Sequence, residues 1–348
     1  MMLNSKVQSP YKISVVVPVY NAQKTIALTL ESLLKQTLSE IEIIVINDGS
    51  TDNSLAIVSR FEKSHPKQIK VITTTNQGAY QARSAGINHA QGEYVGFCDA
   101  DDTAEPEMFE TLYNKIVDCN ADMAVCSYYR QENEKILSTE MKYDFPEAKP
   151  VDKNAGWLVS VNTATWNKLI RTNLAKQHAT LNVSPRIGED ALFLLSIYPH
   201  IRSIAFTNKP LYHYYINNSS AMKAISKEEI HHVIQSWKRA RKQINSNDFL
   251  YIFDLAAFIH LGVSLPLVLF KSGYERAKDT YSTLLEVLDS AFSKYKRSPF
   301  LKINYVLTHR KFMVLPFFAS IFTKLKLLAP LLQLYNLLTS FFGKDFKW

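Results

Sequence analysis

The sequence reads Glu93-Tyr94-Val95-Gly96-Phe97-Cys98-Asp99-Ala100-Asp101-Asp102, an apolar run that ends in three carboxylates within four positions. From Ser84 through Asn114 the chain holds seven acidic residues and no Lys or Arg. Carboxylates held this close repel one another unless a cation lies between them. Mg²⁺ and Mn²⁺ prefer carboxylate oxygens together with substrate phosphates. The stretch therefore indicates a buried strand followed by a divalent-metal site, with a solvated acidic turn before a helix as the alternative.

The composition is that of a globular protein. The chain has 348 residues, of which 47% are hydrophobic and 21% charged, which allows one large domain with a sizeable C-terminal extension. The three cysteines, Cys98, Cys119 and Cys126, match no zinc spacing. The segment from Met1 to Lys12 is polar, which predicts no signal peptide and a reducing cytoplasmic location. We also expect no membrane-spanning helix, since no uninterrupted apolar run reaches 18 residues.

The positive charge is concentrated at the C-terminus. The net charge is +8, and from Phe300 to Trp348 seven Lys or Arg face one acid, Asp345, so 7 − 1 gives an excess of +6 there. This excess predicts contact with an anionic surface, and charge alone leaves phospholipid and nucleic acid open. Between Phe312 and Phe342 the apolar stretches are broken by polar residues and two prolines. That pattern favours short amphipathic helices on a membrane surface, with a helical pair packed on the catalytic domain as the alternative.

The first 130 residues alternate strand-like and helix-like patterns, which predicts an α/β fold with a mostly parallel sheet flanked by helices. The predicted strands are 13–19, 41–46, 70–74, 94–98 and 121–128, and the predicted helices are 24–35, 52–64, 78–90 and one that begins near Pro106. Residues 131–153 are a polar connection, and a second region runs from about 155 to 220. Beyond Ser226 the pattern is helical throughout.

Nucleotide-binding signatures of the common kinds are missing from the first strand and its loop. Neither a Gly-rich dinucleotide fingerprint nor a Walker-type phosphate loop occurs. Asp48, directly after the second strand, could accept a hydrogen bond from a base or ribose. Arg83, early in the third helix, could contact phosphate oxygens with its planar guanidinium. Taken singly, each side chain could equally have a structural role.

Six short motifs occur in one order along the chain, and together they carry a resemblance. They are Val-Val-Val-Pro-Val-Tyr-Asn (15–21), Ile-Asn-Asp-Gly-Ser-Thr-Asp (46–52), Asn-Gln-Gly (76–78), Ala-Arg-Ser-Ala-Gly (82–86), Gly-Glu-Tyr (92–94) and Asp-Ala-Asp-Asp (99–102). In order and spacing the chain resembles glycosyltransferase family 2, densely over 12–130 and more loosely over 160–220. The resemblance implies a Rossmann-like GT-A catalytic domain over 1–220, with nucleotide-sugar binding in 12–130 and acceptor binding in 155–220. Residues 221–348 are then a helical C-terminal region.

The resemblance also implies a donor site for a nucleotide-sugar, most often a UDP-sugar. Asp48 would hold the uracil, and Arg83 would approach the diphosphate. Asp101 would coordinate Mg²⁺ or Mn²⁺, with Asp99 near the ribose and the metal. The residues expected to contact the donor are Pro18, Tyr20, Asn21, Asp48, Asn76, Gly78, Arg83, Asp99 and Ala100.

On the acceptor side, Gly188-Glu189-Asp190 matches the family's E-D element, in which the aspartate is the general base. Asp190 is therefore the predicted base and Glu189 its neighbour, although a Glu-Asp pair at a helix start is also a common cap. Trp166 and Lys168 are expected near the acceptor, with a core tryptophan as the alternative for Trp166. His213 could reach the metal or pyrophosphate, with a packed histidine on an aromatic strand as the alternative. The family commonly has an arginine near this position, and this chain departs from that pattern.

The sequence thus predicts an inverting glycosyltransferase that moves a sugar from a UDP-sugar to a hydroxyl of a saccharide or lipid-linked acceptor in surface polysaccharide synthesis. It is expected to be cytoplasmic and peripheral at the inner face of the membrane, and not to bind nucleic acid. Two alternatives stay open. Asp99-Ala100-Asp101-Asp102-Thr103 also fits the D-x-D-x-T motif of haloacid-dehalogenase phosphatases, although three strand–helix units precede it here. A sugar-nucleotide binding module without catalysis is the other. Neither the donor sugar, nor the acceptor linkage, nor the oligomeric state is indicated.

Overall fold

The computed structural model describes residues 9–141, 147–178, 187–216, 225–271 and 274–342. These residues fold into two compact units. The first comprises the described parts of Met1–Val151, Thr163–Ser184 and Glu189–Asn218. The second comprises those of Asp152–Asn162, Pro185–Gly188 and Ser219–Trp348. The segment Asp152–Asn162 thus groups with the C-terminal helices. The domain boundary predicted at residue 220 placed this segment with the sheet instead.

The first unit is built on one sheet. Its strands in the described residues are β1 Ile13–Val19, β2 Ile41–Asp48, β3 Ile69–Thr74, β4 Tyr94–Phe97, β5 Thr103–Ala104, β6 Met123–Glu132, β7 Lys135–Glu140, β8 Ala148–Pro150, β9 Lys168–Arg171 and β10 Ser203–Tyr215. The strand order is β3-β2-β1-β4-β9-β6-β10-β5, with β7 paired to β6 and β8 to β10. Strands β3, β2, β1 and β4 are parallel, as are β6 and β10, while β5, β7, β8 and β9 run antiparallel to their neighbours.

The helices of the first unit are those that the sequence pattern predicts, with shifted ends, together with α5, which the pattern did not indicate. They are α1 Ile26–Leu34, α2 Ser54–Ser64, α3 Ala79–His89, α4 Met108–Cys119, α5 Thr172–His178 and α6 Glu189–Ile197. The strands β1, β2 and β4 are buried almost throughout because helices cover both faces of the sheet. The predicted α/β class is confirmed. The predicted polar connection over 131–153 is wrong in part, since it contains β7 and β8.

The second unit is helical in its described residues. Its helices are α7 Lys227–Lys242, α8 Asn247–Ala257, α9 Leu265–Lys271, α10 Tyr274–Ala291, α11 Ile303–Thr308, α12 Arg310–Lys324 and α13 Leu328–Phe342. The helix α7 begins with a capping box in which Ser226 and Glu229 satisfy each other's backbone amides. The helical C-terminal region is therefore confirmed.

The sequence analysis predicted no helix long and apolar enough to cross a membrane. One helical span of this unit meets both criteria, so that prediction is corrected. A π-helical segment, Phe258–Ser264, joins α8 to α9, so Asn247–Lys271 is one continuous helical span of 25 residues. Its mean hydropathy is 2.0, and 78% of its most apolar window is buried inside the structure. The Asp254 carboxylate in it is fully buried and accepts from Arg241 Nε at 2.6 Å. Burial and a buried ion pair are features of a core helix of a folded unit.

Candidate active site

The loops that carry the sequence motifs lie at one edge of the sheet. Strands β1, β2 and β4 are parallel neighbours, so the loops that follow them meet at the same carboxyl edge, where open α/β sheets bind ligands. The first two loops are joined by hydrogen bonds: Asn21 Oδ1 accepts from Thr51 N at 2.8 Å, and Asn21 N donates to Ser50 Oγ at 3.1 Å. Beside them Tyr20 is 51% exposed and Pro18 half-buried. Both remain available to line a pocket.

Asp48 fixes the loop that precedes α3. Its buried carboxylate accepts from Gln77 N at 2.9 Å and from Gly78 N at 2.8 Å. Asn76, in the same loop, is exposed. Gly49 has a φ of +68°, and a Cβ there would lie 2.9 Å from Asn76 N, so only glycine fits. The predicted contact of Asp48 with uracil stays a prediction, while its structural role is to shape this loop.

Arg83 is the centre of the charged cluster. Its side chain is buried within α3, Nη2 donates to Asp99 Oδ1 at 2.9 Å, and Nη1 donates to Asp190 Oδ1 at 2.8 Å. Glu189 Oε1 lies 3.8 Å from Nη1. One guanidinium thus joins the first aspartate of the D-x-D element to the predicted base. Its Nε is buried without a hydrogen-bond partner in the described residues. The sequence predicted Arg83 beside phosphate and did not indicate this bridge.

Aromatic packing holds α6 in this position. The Phe193 ring of α6 meets Tyr80 of α3 and Phe97 of β4 edge to face, at centroid distances of 6.5 and 5.5 Å. This places the first turn of α6, with Glu189 and Asp190, beside the carboxyl edge. The side chains of Glu189 and Asp190 are 20% and 25% exposed. The predicted base and its neighbour are therefore brought together with the D-x-D loop.

The environment makes both acids of α6 weaker than usual. Burial, together with the charge of Asp99, raises the pKa of Asp190, and Arg83 and Lys168 partly offset this. Burial and the charge of Asp190 raise the pKa of Glu189 to about 7. A carboxylate with a raised pKa is a stronger base, which suits proton removal from a hydroxyl.

Asp102, the third acid of the motif, has a different role from the other two. It is buried, its Oδ2 accepts from Tyr212 Oη at 2.8 Å, and its Oδ1 accepts from Tyr215 N at 2.9 Å. Tyr212 Oη in turn accepts from Asp99 N at 3.1 Å. Burial, then the charges of Asp99 and Asp101, raise the pKa of Asp102 well above its usual range. Asp102 and Tyr212 thus tie the D-x-D loop to the end of β10, and the sequence analysis assigned neither.

The remaining D-x-D residues fit a cation held jointly with a ligand. Asp101 is exposed, Asp99 is 27% exposed, and Ala100 between them is buried. In the described residues no group of three or more His, Cys, Asp or Glu side chains could hold a metal by itself. Mg²⁺ commonly takes only one or two carboxylates and completes its shell with water and substrate phosphates. Asp99 and Asp101 provide two accessible carboxylates, which matches that donor set. Their charges also disfavour ionisation of the neighbouring Asp102.

His213 matches the packed alternative. Its Nδ1 lies 2.8 Å from Gln131 Oε1, and its Nε2 lies 2.8 Å from Glu105 Oε1. Its ring is also tilted against Tyr129 at a centroid distance of 4.9 Å. Both ring nitrogens are occupied by protein partners, so this arrangement does not present His213 as a metal ligand.

Trp166 and Lys168 lie in the core rather than on an open surface. Trp166 is 6% exposed and stacks on Tyr212 at 4.4 Å, which is the core alternative. Lys168 has no exposed surface, and its Nζ donates to Ala164 O at 2.6 Å and Asn167 Oδ1 at 2.8 Å. Burial lowers the pKa of Lys168 to about 7. Lys168 is the first residue of the antiparallel strand β9, and Trp166 lies just before it. The expected contact of these two residues with an acceptor stays a prediction.

A largely parallel sheet flanked by helices, with a D-x-D loop and a further pair of carboxylates at its carboxyl edge, is the arrangement of a GT-A fold. The sequence model of glycosyl transferase family 2 matches residues 14–197, more than half of the chain. The chain belongs to that family and is a glycosyltransferase. The phosphatase and the non-catalytic alternatives are therefore wrong.

Individual proteins agree with this assignment. EpsH of Bacillus subtilis (strain 168) is 29% identical over 324 residues, 88% of this chain and 93% of that protein. The chain spans only about a third of one other curated relative and somewhat under two thirds of two more. Among solved structures, TarS 1-349 of S. aureus in complex with UDP has a TM-score of 0.66 at 20% identity, covering 97% of this chain and 93% of that one.

A second solved structure has a more distant likeness. The mannosyltransferase PcManGT from Pyrobaculum calidifontis, in complex with GDP-Man and Mn²⁺, has a TM-score of 0.51 at 18% identity. It covers 90% of this chain and 87% of that one. At such identities these structures show the GT-A fold of this chain and nothing more specific.

Proposed function

We propose that the chain is an inverting, UDP-sugar-dependent glycosyltransferase that transfers a sugar to a hydroxyl of a saccharide or lipid-linked acceptor in surface polysaccharide synthesis. Residues 1–220 carry the chemistry in this proposal. The S. aureus TarS fragment, which has the same fold, is described with UDP and with UDP-GlcNAc. That likeness supports a UDP-sugar as the donor.

The observation that carries the proposal is the bridge through Arg83. One guanidinium donates to both Asp99 and Asp190 at 2.9 and 2.8 Å. A donor held by the D-x-D loop would therefore lie next to a carboxylate on a different element. An inverting transferase requires this combination, because the acceptor oxygen attacks the anomeric carbon from the side opposite the leaving group.

In the proposed reaction, Asp190 accepts the proton and the nucleoside diphosphate is the leaving group. Asp190 takes the proton from the acceptor hydroxyl, the oxygen forms a bond to the anomeric carbon, and the bond from that carbon to the phosphate oxygen breaks. The electron pair leaves with the nucleoside diphosphate, and the proton remains on Asp190 until solvent removes it. Burial and the charge of Asp99 strengthen Asp190 as a base, as its raised pKa indicates.

Asp101 and Asp99 are the residues that would hold Mg²⁺ or Mn²⁺ in this proposal. A divalent cation there would act as a Lewis acid that offsets the negative charge developing on the diphosphate. The donor pocket itself would be lined by Pro18, Tyr20 and Asn21, with Asp48 positioning the loop that contains Asn76 and Gly78. Arg83 would hold the carboxylates of Asp99 and Asp190 beside each other and approach the diphosphate.

The proposed location is the cytoplasm, at the inner face of the membrane, where lipid-linked acceptors present their hydroxyls. Activated sugars are made in the cytoplasm, so a donor site of this kind has to face that compartment. Nucleic acid is not part of the proposal.

Release of UDP tests the function. The chain is incubated with a panel of UDP-sugars, an oligosaccharide or lipid-linked acceptor and Mn²⁺, and UDP is quantified. We expect release that requires both acceptor and cation. Asp101→Ala should abolish it, and Asp190→Asn should reduce turnover by a factor on the order of 10² to 10⁴ while donor binding is retained.

The matched control is Asp118→Asn, an acidic residue near the end of α4 with no assigned role in the site. It should leave UDP release unchanged. Donor affinity, measured by calorimetry, separates the outcomes. If Asp190→Asn weakens UDP binding as strongly as it lowers turnover, the base assignment is wrong, and if no UDP-sugar in the panel supports release or binding, the donor class is wrong.

A further inference from the structure

The last three helices of the second unit leave apolar side chains exposed in rows. On α12 and the residue after it, Leu315, Phe318 and Leu325 are 52%, 47% and 59% exposed. Their spacing of three and seven residues places them on one helical face. On α13 and the residue before it, Leu327, Leu331 and Leu334 are 47%, 37% and 51% exposed, again at helical spacing.

Exposed apolar side chains are concentrated in this part of the chain. Fourteen large hydrophobic side chains are exposed in the described residues, and eight of them lie between Ile303 and Leu334. Scattered exposed leucines are ordinary on a soluble surface, but a concentration of this kind marks an interaction site.

The same segment is strongly basic. Between Asp289 and Asp345 the sequence contains no Asp or Glu and nine Lys or Arg. Lys302, Lys324 and Lys326 are exposed. An apolar protein partner would not require this charge, whereas an anionic phospholipid surface attracts lysines beside exposed leucines.

The turn between α12 and α13 combines exposed leucines with exposed lysines. Lys324, Leu325, Lys326 and Leu327 are four consecutive exposed residues. Leu327 N donates to Phe322 O at 2.8 Å and Lys326 N donates to Thr323 O at 3.0 Å, the two hydrogen bonds of a Schellman motif. The residue with left-handed φ in this motif is usually glycine, and here it is Lys326 at φ 57°. A lysine at a position that favours glycine costs conformational energy and adds a cation between two exposed leucines.

We propose that the turn Lys324–Leu327, with the exposed rows of α12 and α13, is a docking surface for an anionic phospholipid bilayer. The leucines and Phe318 enter the boundary between headgroups and acyl chains, and the lysines contact lipid phosphates. This inference concerns attachment and does not depend on the donor or the reaction proposed above.

Vesicle co-sedimentation tests the surface with the full chain. Phosphatidylcholine vesicles with a minority of phosphatidylglycerol are compared with phosphatidylcholine alone, at ionic strengths from about 0.1 M to about 1 M, across which the Debye length falls from about 10 to 3 Å. We expect binding to the anionic vesicles that weakens with salt. The double variant Leu325→Gln/Leu327→Gln should bind at least tenfold more weakly, since fully burying one leucine side chain contributes about a factor of ten or more.

Lys326→Gly tests the contribution of the lysine charge to vesicle binding separately from the stability of the turn. It removes one cation, which near an anionic surface contributes about a fivefold change in partitioning, and it relaxes the left-handed backbone. We expect weaker vesicle binding together with an unchanged or higher melting temperature. A merely structural lysine would show no loss of binding.

The matched controls lie in the first unit. Leu28→Gln replaces a leucine that is 62% exposed on α1, and Lys63→Gln removes an exposed lysine on α2; both should bind vesicles like the parent. Absence of binding by the parent chain, or equal loss in the controls, overturns the proposal.

Light scattering tests whether the surface instead binds a second copy of the chain. If the leucine variants convert a dimer to a monomer and vesicles are not bound, the surface joins two copies of the chain. UDP release by each variant with a soluble acceptor is a separate readout, so failure of docking and failure of the proposed reaction are distinguishable.

Discussion

Arg83 and Asp190 are 107 residues apart in the chain and form a largely buried ion pair with an Nη1–Oδ1 distance of 2.8 Å, in which Arg83 is 6% and Asp190 25% exposed. The same guanidinium donates to Asp99. Arg83 thus joins α3, the loop that follows β4, and α6, which carries the proposed base. The geometry of the proposed reaction therefore depends on a single buried cation.

Arg83→Ala should destabilise the protein and stop transfer. Removing the guanidinium leaves the carboxylates of Asp99, Asp190 and Glu189 close together and unpaired, and breaking a buried pair in this way costs about 3–5 kcal/mol of unfolding free energy. Arg83→Lys should recover part of the stability but little turnover, because an ammonium lacks the planar fork that reaches two carboxylates. Urea denaturation and UDP release are the measurements.

Arg171→Ala provides the comparison for Arg83. Arg171 is 31% exposed and pairs with Glu93 at 3.0 Å and with Asp122 at 3.5 Å. Asp122 keeps its ion pair with Arg202 at 2.9 Å when Arg171 is removed, so this loss should cost less than that of Arg83. An Arg83→Ala variant as stable as Arg171→Ala would mean that the central cluster is well solvated, contrary to the burial of the Arg83 side chain.

Much of this site could be anticipated from the sequence, because parallel strands bring their carboxyl ends to one edge. The loops containing Asn21, Asp48 and Asp99 follow consecutive parallel neighbours, and their proximity follows from the alternation of strands and helices alone. The bridge from Arg83 to Asp190 could not be anticipated, since it depends on where Phe193 packs α6. No local pattern encodes that tertiary contact.

The core position of Lys168 was equally inaccessible to sequence patterns. Lysine is rarely buried without a partner, and the acceptor role expected for Trp166 and Lys168 rested on the family resemblance alone. The antiparallel strand β9 enters the sheet between β4 and β6, and its first residue is Lys168. The acceptors Ala164 O and Asn167 Oδ1 are supplied by its own neighbours, which makes burial of the ammonium feasible.

The rate of transfer should depend on pH through Asp190. The base acts when deprotonated, and its pKa is raised above 3.8 by burial and the charge of Asp99, so kcat/KM should fall on acidification at a higher pH than for an exposed aspartate. Lys168→Met removes a positive charge that lowers the pKa of Asp190, and should shift this limb to still higher pH. UDP release measured across pH at subsaturating acceptor gives both curves.

Asp190→Asn serves as the control for the pH profile. Its residual rate should be low and lack the acid limb, since asparagine does not titrate. A limb that persists unchanged in Asp190→Asn would assign the titration to another group and count against Asp190 as the base.

Stability should also depend on pH, through Glu189. Its pKa is about 7 in the folded chain against an ordinary 4.5, so the folded state binds the proton more tightly than the unfolded state. The resulting stabilisation is fully present below pH 4.5 and is lost as pH rises through 7, with an upper limit of about 3 kcal/mol. Glu189→Gln should remove this component. The difference in unfolding free energy between parent and variant, measured by urea denaturation from pH 5 to 8, should therefore change with pH, and a constant difference would contradict the raised pKa.

Tyr212→Phe should impair the cation site more than the fold. The phenol donates to Asp102 Oδ2 at 2.8 Å and accepts from Asp99 N at 3.1 Å, so its loss frees the D-x-D loop while the ring stays stacked on Trp166. Leaving the Asp102 carboxylate without this donor should cost about 1–3 kcal/mol. We expect a severalfold rise in the Mn²⁺ concentration that gives half-maximal UDP release, with a smaller effect at saturating Mn²⁺.

Tyr198→Phe is the matched control for Tyr212→Phe. Tyr198 is also a buried tyrosine, but its hydroxyl has no hydrogen-bond partner in the described residues. Removing an unsatisfied buried hydroxyl should leave the unfolding free energy unchanged or slightly higher, and the Mn²⁺ dependence should match that of the parent. If the two variants share the same Mn²⁺ dependence, Tyr212 and Asp102 support the fold only, and the loop keeps its cation-binding shape without them.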